Sequence, residues 1–181
     1  MPDSNITKKA LAGAMKQLMA QKPFAKISVG DICALCDMNR KSFYYHFKDK
    51  YDLDNWIYYT EFVGAVRDKD YSDGWDILTD ICIYLERNRP FYCNALQVEG
   101  QNSFRDYFWE MLTPVVVVIL SEIFESEKRA DPFYTTFFAD AFLAAIDRWL
   151  LKTPGLSAPE FTHLLRMAVT GAASTANPSQ F

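Results

Sequence analysis

Hydrophobic residues recur along almost the whole chain at three- and four-residue spacing, which predicts helices and no sheet. Between Thr7 and Gln21 they share one face as Leu11, Ala14, Met15, Leu18 and Met19, and Pro23 ends the helix. Ser28 followed by Asp31 has the form of a capping box, opening a second helix through Val29, Ile32 and Cys33 to Cys36. Asp37 and Met38 break that helix, and Asn39 can cap a third short one reaching about Tyr45. Phe47, Lys48 and Asp49 lead into a long fourth helix with Leu53, Trp56, Ile57, Thr60 and Val63 at core spacing. Two short helices joined by a brief break and flanked by longer ones form a helix-turn-helix arrangement.

Past a polar, turn-forming run at 68–74, Ile77, Leu78, Ile81, Cys82 and Leu85 mark a helix ending at Asn88, and Pro90 begins a short one. Glu99-Gly-Gln-Asn reads as a loop. Residues 103–126 read as one long helix bent at Pro114, with Val115 to Val118 locally strand-like in propensity but helical in context. Asp131 and Pro132 supply a cap and first turn for a helix to about Lys152, which Thr153-Pro-Gly breaks. Ser157-Ala-Pro-Glu160 is a second capping box, and Phe161, Leu164, Leu165, Ala168 and Val169 follow at helical spacing. The small, polar tail after Gly171 is expected to fray. The predicted fold is therefore all-α, a three-helix N-terminal bundle with a helix-turn-helix at 1–50 and a larger helical domain at 51–181.

Composition narrows the class. Half of the 181 residues are hydrophobic and 15% are aromatic, enough for a real core and incompatible with disorder. No apolar run is long enough for a membrane span and no secretory leader is visible, so a cytoplasmic chain without membrane association is expected. Cys33, Cys36, Cys82 and Cys93 should then stay reduced. The Cys33–Cys36 pair has no second pair, and His46 and His163 are far apart, so neither a metal nor another cofactor is expected. With Val29 and Ile32, both thiols instead fall on the buried stripe of one short helix. No Gly-rich phosphate loop, Gly-x-Ser-x-Gly elbow or His-Glu-x-x-His pair occurs, so no catalytic residues are assigned and an enzyme is not expected.

The net charge of −4 hides an asymmetry, since residues 1–50 carry +5 and residues 51–181 carry −9. A cationic head on an anionic body suits a segment that meets a polyanion. Within that head, residues 39–50 (Asn-Arg-Lys-Ser-Phe-Tyr-Tyr-His-Phe-Lys-Asp-Lys) crowd donors into barely two turns, with Phe43 and Phe47 spaced to anchor the helix inward. Such a helix suits the DNA major groove, where Arg or Lys reaches a guanine edge and hydroxyls and His reach phosphates. A solvated helix whose aromatics merely pack has the same composition.

From Thr7 to Leu53 the chain resembles the DNA-binding domain of the TetR family of transcriptional regulators. The match lies in Ile27-Ser-Val-Gly-Asp-Ile32, Ser42-Phe-Tyr-Tyr-His-Phe47, Lys50 and Leu53. The wording around Phe47 and the acidic, aromatic body are similar to a subgroup of dihydroxyacetone kinase operon regulators. The resemblance implies a DNA-binding segment that starts at Asn39, with Arg40, Lys41, Ser42 and Tyr45 facing bases or flanking phosphates. Ser28, Tyr44, His46 and Lys50 would clamp the backbone. Two positions depart from the family pattern. Gly30 stands where some members place a base-reading side chain, and Asp37 stands at the usual turn glycine, where Asp tolerates a left-handed backbone.

For the body, the resemblance implies effector binding and dimerisation. Double-stranded DNA and a second copy of the chain are then partners, with a small-molecule effector or partner protein still unknown. The last two long helices would pair with their symmetry mates through Tyr134, Phe138, Ala141, Phe142, Ala145 and Trp149 on one and Phe161, Leu165, Ala168 and Ala172 on the other. The same faces could be protomer core. An effector pocket would draw on Trp56, Tyr59, Phe62, Trp75, Tyr84, Arg105, Tyr107, Phe108 and Trp109, although aromatics at helical spacing commonly just pack. The implied function is a dimeric regulator on an inverted-repeat operator, repressor or activator. The alternative is a helical interaction module or coactivator-dependent activator whose body binds a partner protein.

Overall fold

The computed structural model describes residues 2–66, 69–98, 103–124, 132–153 and 155–175, all helix, turn or connecting loop. The expected cap Asp131, the loop at 99–102 and the tail beyond 175 lie outside these residues. The chain forms two units, one from Met1–Gly64 with Asn88–Arg105 and one from Ala65–Arg87 with Asp106–Phe181. Among the described residues no helix is long and apolar enough to cross a membrane.

The first unit opens with α1 (Pro2–Met19), longer at its start than the predicted Thr7. Proline suits a first turn because its missing N–H has no intrahelical partner there. The buried face of α1 is Leu11, Ala12, Ala14, Met15 and Met19, with Leu18 only half-buried. A 3-10 turn (Phe24–Lys26) precedes α2 (Val29–Leu35) and α3 (Arg40–His46). Then α4 (Lys50–Ile57) widens into a π-helical stretch (Tyr58–Phe62) and ends as α5 (Val63–Val66). Phe24, Ile27, Ile32, Phe43, Phe47, Leu53 and Ile57 join the α1 face in one core, each no more than 3% exposed.

The short helix α7 (Arg89–Ala95) belongs to this unit and holds the connection from α1 to α2. Asn94 donates from Nδ2 to the carbonyls of Met19 at 2.8 Å and Lys22 at 2.7 Å. Its Oδ1 accepts from the Phe24 N–H at 3.1 Å. One side chain thus satisfies the last carbonyl of α1 and two backbone groups of the connection that follows it. Removing all three bonds in Asn94→Ala is expected to cost on the order of 3 kcal/mol in denaturant unfolding. A loss below about 1 kcal/mol would show that the connection holds its shape without this side chain.

The second unit contains α6 (Gly74–Arg87), most of α8 (Phe104–Ile123), α9 (Pro132–Lys152) and α10 (Ala158–Thr175). Gly74 is where α6 starts against α8: a Cβ there would lie 2.7 Å from Cγ1 of Ile119. Helix α8 runs on through Pro114, whose ring is on the exposed side, and the strand-like valines are helical. Val115 and Val116 face the core, whereas Val117 and Val118 are exposed.

Two expectations change at the last helices. On α10 the buried positions are Ala158, Phe161, Thr162 and Val169, so the core face is rotated from the predicted one. Leu164 is 56% exposed and Met167 59%. Ordered helix also continues past Gly171 to Thr175. The α9–α10 turn is fixed by Trp149, which stacks on Phe161 at 4.7 Å and donates from Nε1 to the Leu156 carbonyl at 2.8 Å. At Ser157 the Glu160 carboxylate accepts from both the backbone N–H at 3.0 Å and the hydroxyl at 2.6 Å.

Candidate nucleic-acid interface

The helix-turn-helix is set by local chemistry. Ser28 accepts the Asp31 N–H at 3.1 Å through Oγ, and its own N–H donates to Asp31 Oδ2 at 2.9 Å, closing the capping box. Lys22 donates to the same carboxylate at 3.1 Å. The Ser28 backbone bond, then Lys22 and the Ser28 hydroxyl, hold the Asp31 carboxyl down at about 2, so it stays ionised. Between the helices Asp37 adopts φ +53°, the left-handed turn expected of it, while the Met38 N–H donates to the Cys33 carbonyl at 2.9 Å. Asn39 Oδ1 accepts the Ser42 N–H at 2.8 Å and starts α3.

Phe43 and Phe47 are buried beneath α3, their rings 5.9 Å apart. That anchor turns Arg40, Lys41, Tyr44 and Tyr45 outward; Tyr44 is 58% exposed and Tyr45 82%. Ser42 and His46 lie half-buried at the margin, with the His46 ring 4.9 Å from that of Tyr45. Ser28 and Asn39 are exposed, but each spends its side chain on a helix cap. The result is a cationic, hydroxyl-bearing face on a rigid helix, chemically fitted to phosphates and base edges.

Lys50 does not share that face. Its ammonium donates to the carbonyls of Phe24 and Ile27, both at 2.9 Å, and of Ala25 at 3.4 Å, and sits 4.4 Å from the Phe24 ring centre. Partial burial lowers its pKa. The expected phosphate clamp is therefore an internal staple from α4 to the turn before α2, because three carbonyls already take its three protons. Lys48, two residues earlier, is exposed.

The two cysteines of the Cys-x-x-Cys pair are part of the packing. Cys33 is buried, and Cys36 donates from Sγ to the Ile32 carbonyl at 3.2 Å. Desolvation pushes both thiols up. Among the described residues no group of three or more His, Cys, Asp or Glu side chains is placed to hold a metal.

The nine residues expected around an effector are divided between the two units. In the first, Trp56 is half-buried against Phe47, Tyr59 is 58% exposed and Arg105 is exposed. The Phe62 side chain is outside the described set. In the second, Trp75 and Phe108 are buried, Tyr84 and Tyr107 half-buried, and half-buried Trp109 donates from Nε1 to Asp140 at 2.8 Å. Trp75 also borders an open groove of about 230 Å³ with Asp76, Thr79, Pro159, Thr162, His163 and Arg166, a constellation the sequence reading did not assemble. Its members come from α6 and α10, which no local spacing connects.

Of the residues expected to pair two protomers, Phe142 and Trp149 are 1% and 2% exposed, so they belong to the protomer's own core. Phe161, which stacks on Trp149, is also buried. Tyr134, Phe138, Ala145 and Leu165 are half-buried, and Ala141 and Ala168 exposed. Nothing is described of the Ala172 side chain.

A cationic recognition-type helix on a helix-turn-helix, followed by an all-helical body, defines the class of DNA-binding transcriptional regulators. Residues 11–53 match the family described as bacterial regulatory proteins, tetR family, and residues 73–171 match the family described as transcriptional regulator C-terminal region. The chain belongs to the TetR family, whose members are regulators, not enzymes, and bind DNA and form dimers. It is 32% identical over 135 residues to the HTH-type dhaKLM operon transcriptional activator DhaS of Lactococcus lactis, covering 72% of this chain and 68% of that protein. In fold it is similar to a solved dihydroxyacetone kinase operon activator DhaS, with a TM-score of 0.70 at 20% identity over 94% of this chain and 95% of that one. A TetR transcriptional regulator from Streptococcus agalactiae gives 0.74 at 20% identity, over 93% and 96%.

Proposed function

We propose that this regulator works as a homodimer on an inverted-repeat operator, placing α3 of each protomer in successive major grooves about 34–36 Å apart. The observation that carries this reading is the outward face of Arg40, Lys41, Tyr44 and Tyr45 on a helix whose buried Phe43 and Phe47 leave it no freedom to turn inward. Arg40 and Lys41 supply the base-reading and phosphate-neutralising charge, and the Tyr44 hydroxyl and the half-buried His46 position the backbone. The name of the Lactococcus relative supports a role as activator and, as target, an operon of the dhaKLM kind. The body then responds to an effector, small molecule or protein, that favours one separation of the two α3 helices over another.

Selection of bound duplexes from a random library tests the reading, and enrichment of one inverted repeat is the expected result. A folded protein that enriches nothing but holds a partner protein would instead support the interaction-module alternative. Tyr44→Ala is expected to weaken binding to all duplexes alike, by about tenfold for one lost phosphate contact, without changing the preferred sequence. Competition titrations on the selected repeat and on unrelated DNA check this. A changed preference would move Tyr44 to the base-reading set.

A further inference from the structure

Gly30 is the one residue of α2 whose choice its own helix does not explain. It lies inside a seven-residue helix, φ is not left-handed there, and alanine would favour the helix more. What glycine supplies is room. A Cβ at position 30 would fall 2.7 Å from an Nη of Arg40 and 3.5 Å from both its Cζ and its Nε, so the guanidinium lies directly against the α2 backbone. The nearness of that charge also acts on the Cys33 thiol, which it pulls down against the effect of burial. Arg40 is the first residue of α3 and remains exposed. A side chain with four rotatable bonds is thereby seated on a rigid surface before any DNA arrives.

We propose that Gly30 is a specificity-determining residue that reads no base itself but seats the Arg40 guanidinium for a guanine edge. The proposal rests on the assignment of α3 as the DNA-reading helix. Guanine is the base that fits, because O6 and N7 in the major groove accept both arms of a guanidinium fork held in one orientation. A methyl group at position 30 meets the far end of a flexible side chain, so Arg40 can swing away at little cost to the fold. What is lost is its aim.

The test uses the full chain and sequencing of duplexes selected from a random library, for the native protein, Gly30→Ala, Arg40→Ala and the double variant. Circular dichroism melts establish that each is folded, and Gly30→Ala should melt at or above the native temperature. The expected result is that Gly30→Ala and Arg40→Ala both lose preference for G·C at the same base pair of each half-site. The loss should be roughly ten- to hundredfold. The double variant should match Arg40→Ala, since without the guanidinium the methyl has nothing to displace. Retained preference in Gly30→Ala with loss in Arg40→Ala overturns the seating role. A further loss in the double variant overturns it too, showing that position 30 acts on the DNA directly. If Arg40→Ala keeps the preference, Arg40 is not the reader and the proposal falls with it. A folded native protein that selects no sequence overturns the DNA-reading assignment itself, an outcome distinct from all of these.

Discussion

Replacing Asp54 by asparagine is expected to raise the melting temperature at pH 8 by roughly 5–10 °C and to leave it nearly unchanged at pH 4. Asp54 lies on α4 at 4% exposure; Oδ2 accepts the Tyr58 hydroxyl at 2.6 Å, and Oδ1 has no hydrogen-bond partner among the described residues. Burial is the main influence on its carboxyl and raises the pKa from 3.8 to about 7, against the smaller downward pull of Tyr58 and Lys50. The folded state therefore binds the proton more tightly than the unfolded chain. The resulting stability is fully present below 3.8 and lost as pH rises through about 7. The gap corresponds to about 4 kcal/mol at most, and asparagine keeps the shape and the acceptor oxygen without a charge to desolvate. Asp31 and Glu160, held low by their capping bonds, act with the opposite sign and lose their contribution as pH falls. The difference between native and variant melting curves from pH 4 to 8 isolates Asp54. Parallel curves would mean that the carboxylate is ionised and solvated in the folded protein.

The parts of this molecule legible in the sequence are those built from near neighbours. The Ser28–Asp31 box, the left-handed turn at Asp37 and the Phe43–Phe47 anchor each depend on residues at most five apart, and the outward face of α3 follows from them. What could not be read depends on distant partners. Lys50 carries the right charge at the right place for a phosphate, yet its ammonium is taken by carbonyls up to 26 residues earlier in the chain. Asn94 reads as an ordinary polar position on a short helix until α1 is brought against it from 75 residues away. Asp54 follows the buried Leu53 and nothing in its spacing marks it as buried too. Helical periodicity gave the right period for α10 but the wrong phase, because Thr162 is buried against α6 by its bond to Thr79 while Leu164 is left outside.

That corrected phase leads to the largest expected effect on function: Leu164→Arg is expected to convert a dimer into a folded monomer and to reduce operator affinity by at least a hundredfold. On α10 Leu164, Met167, Ala168 and Gly171 are exposed and recur at i, i+3, i+4 and i+7, an apolar stripe that a lone soluble protomer has no reason to keep. On α9 Phe133 is 67% exposed and Phe137 54%, their rings stacked 6.1 Å apart, and Ala141 and Ala144 continue that face. These outward positions, not Phe142 or Trp149, are the surfaces a second copy can reach. Burying a leucine contributes about 1.5–3 kcal/mol. A two-fold interface counts each change twice, and arginine would bring an unpaired charge into each half. The combined loss is about 4 kcal/mol or more, near a thousandfold in dimer affinity. Because Leu164 is outside the protomer core, the variant should keep its helical content, which separates lost pairing from lost folding. Sedimentation velocity at micromolar concentration gives the mass, and titration of the selected repeat gives the affinity. If Leu164→Arg still sedimented as a dimer and bound the repeat as before, the pairing surface would lie elsewhere on the body, with the Phe133–Phe137 face of α9 the next to substitute.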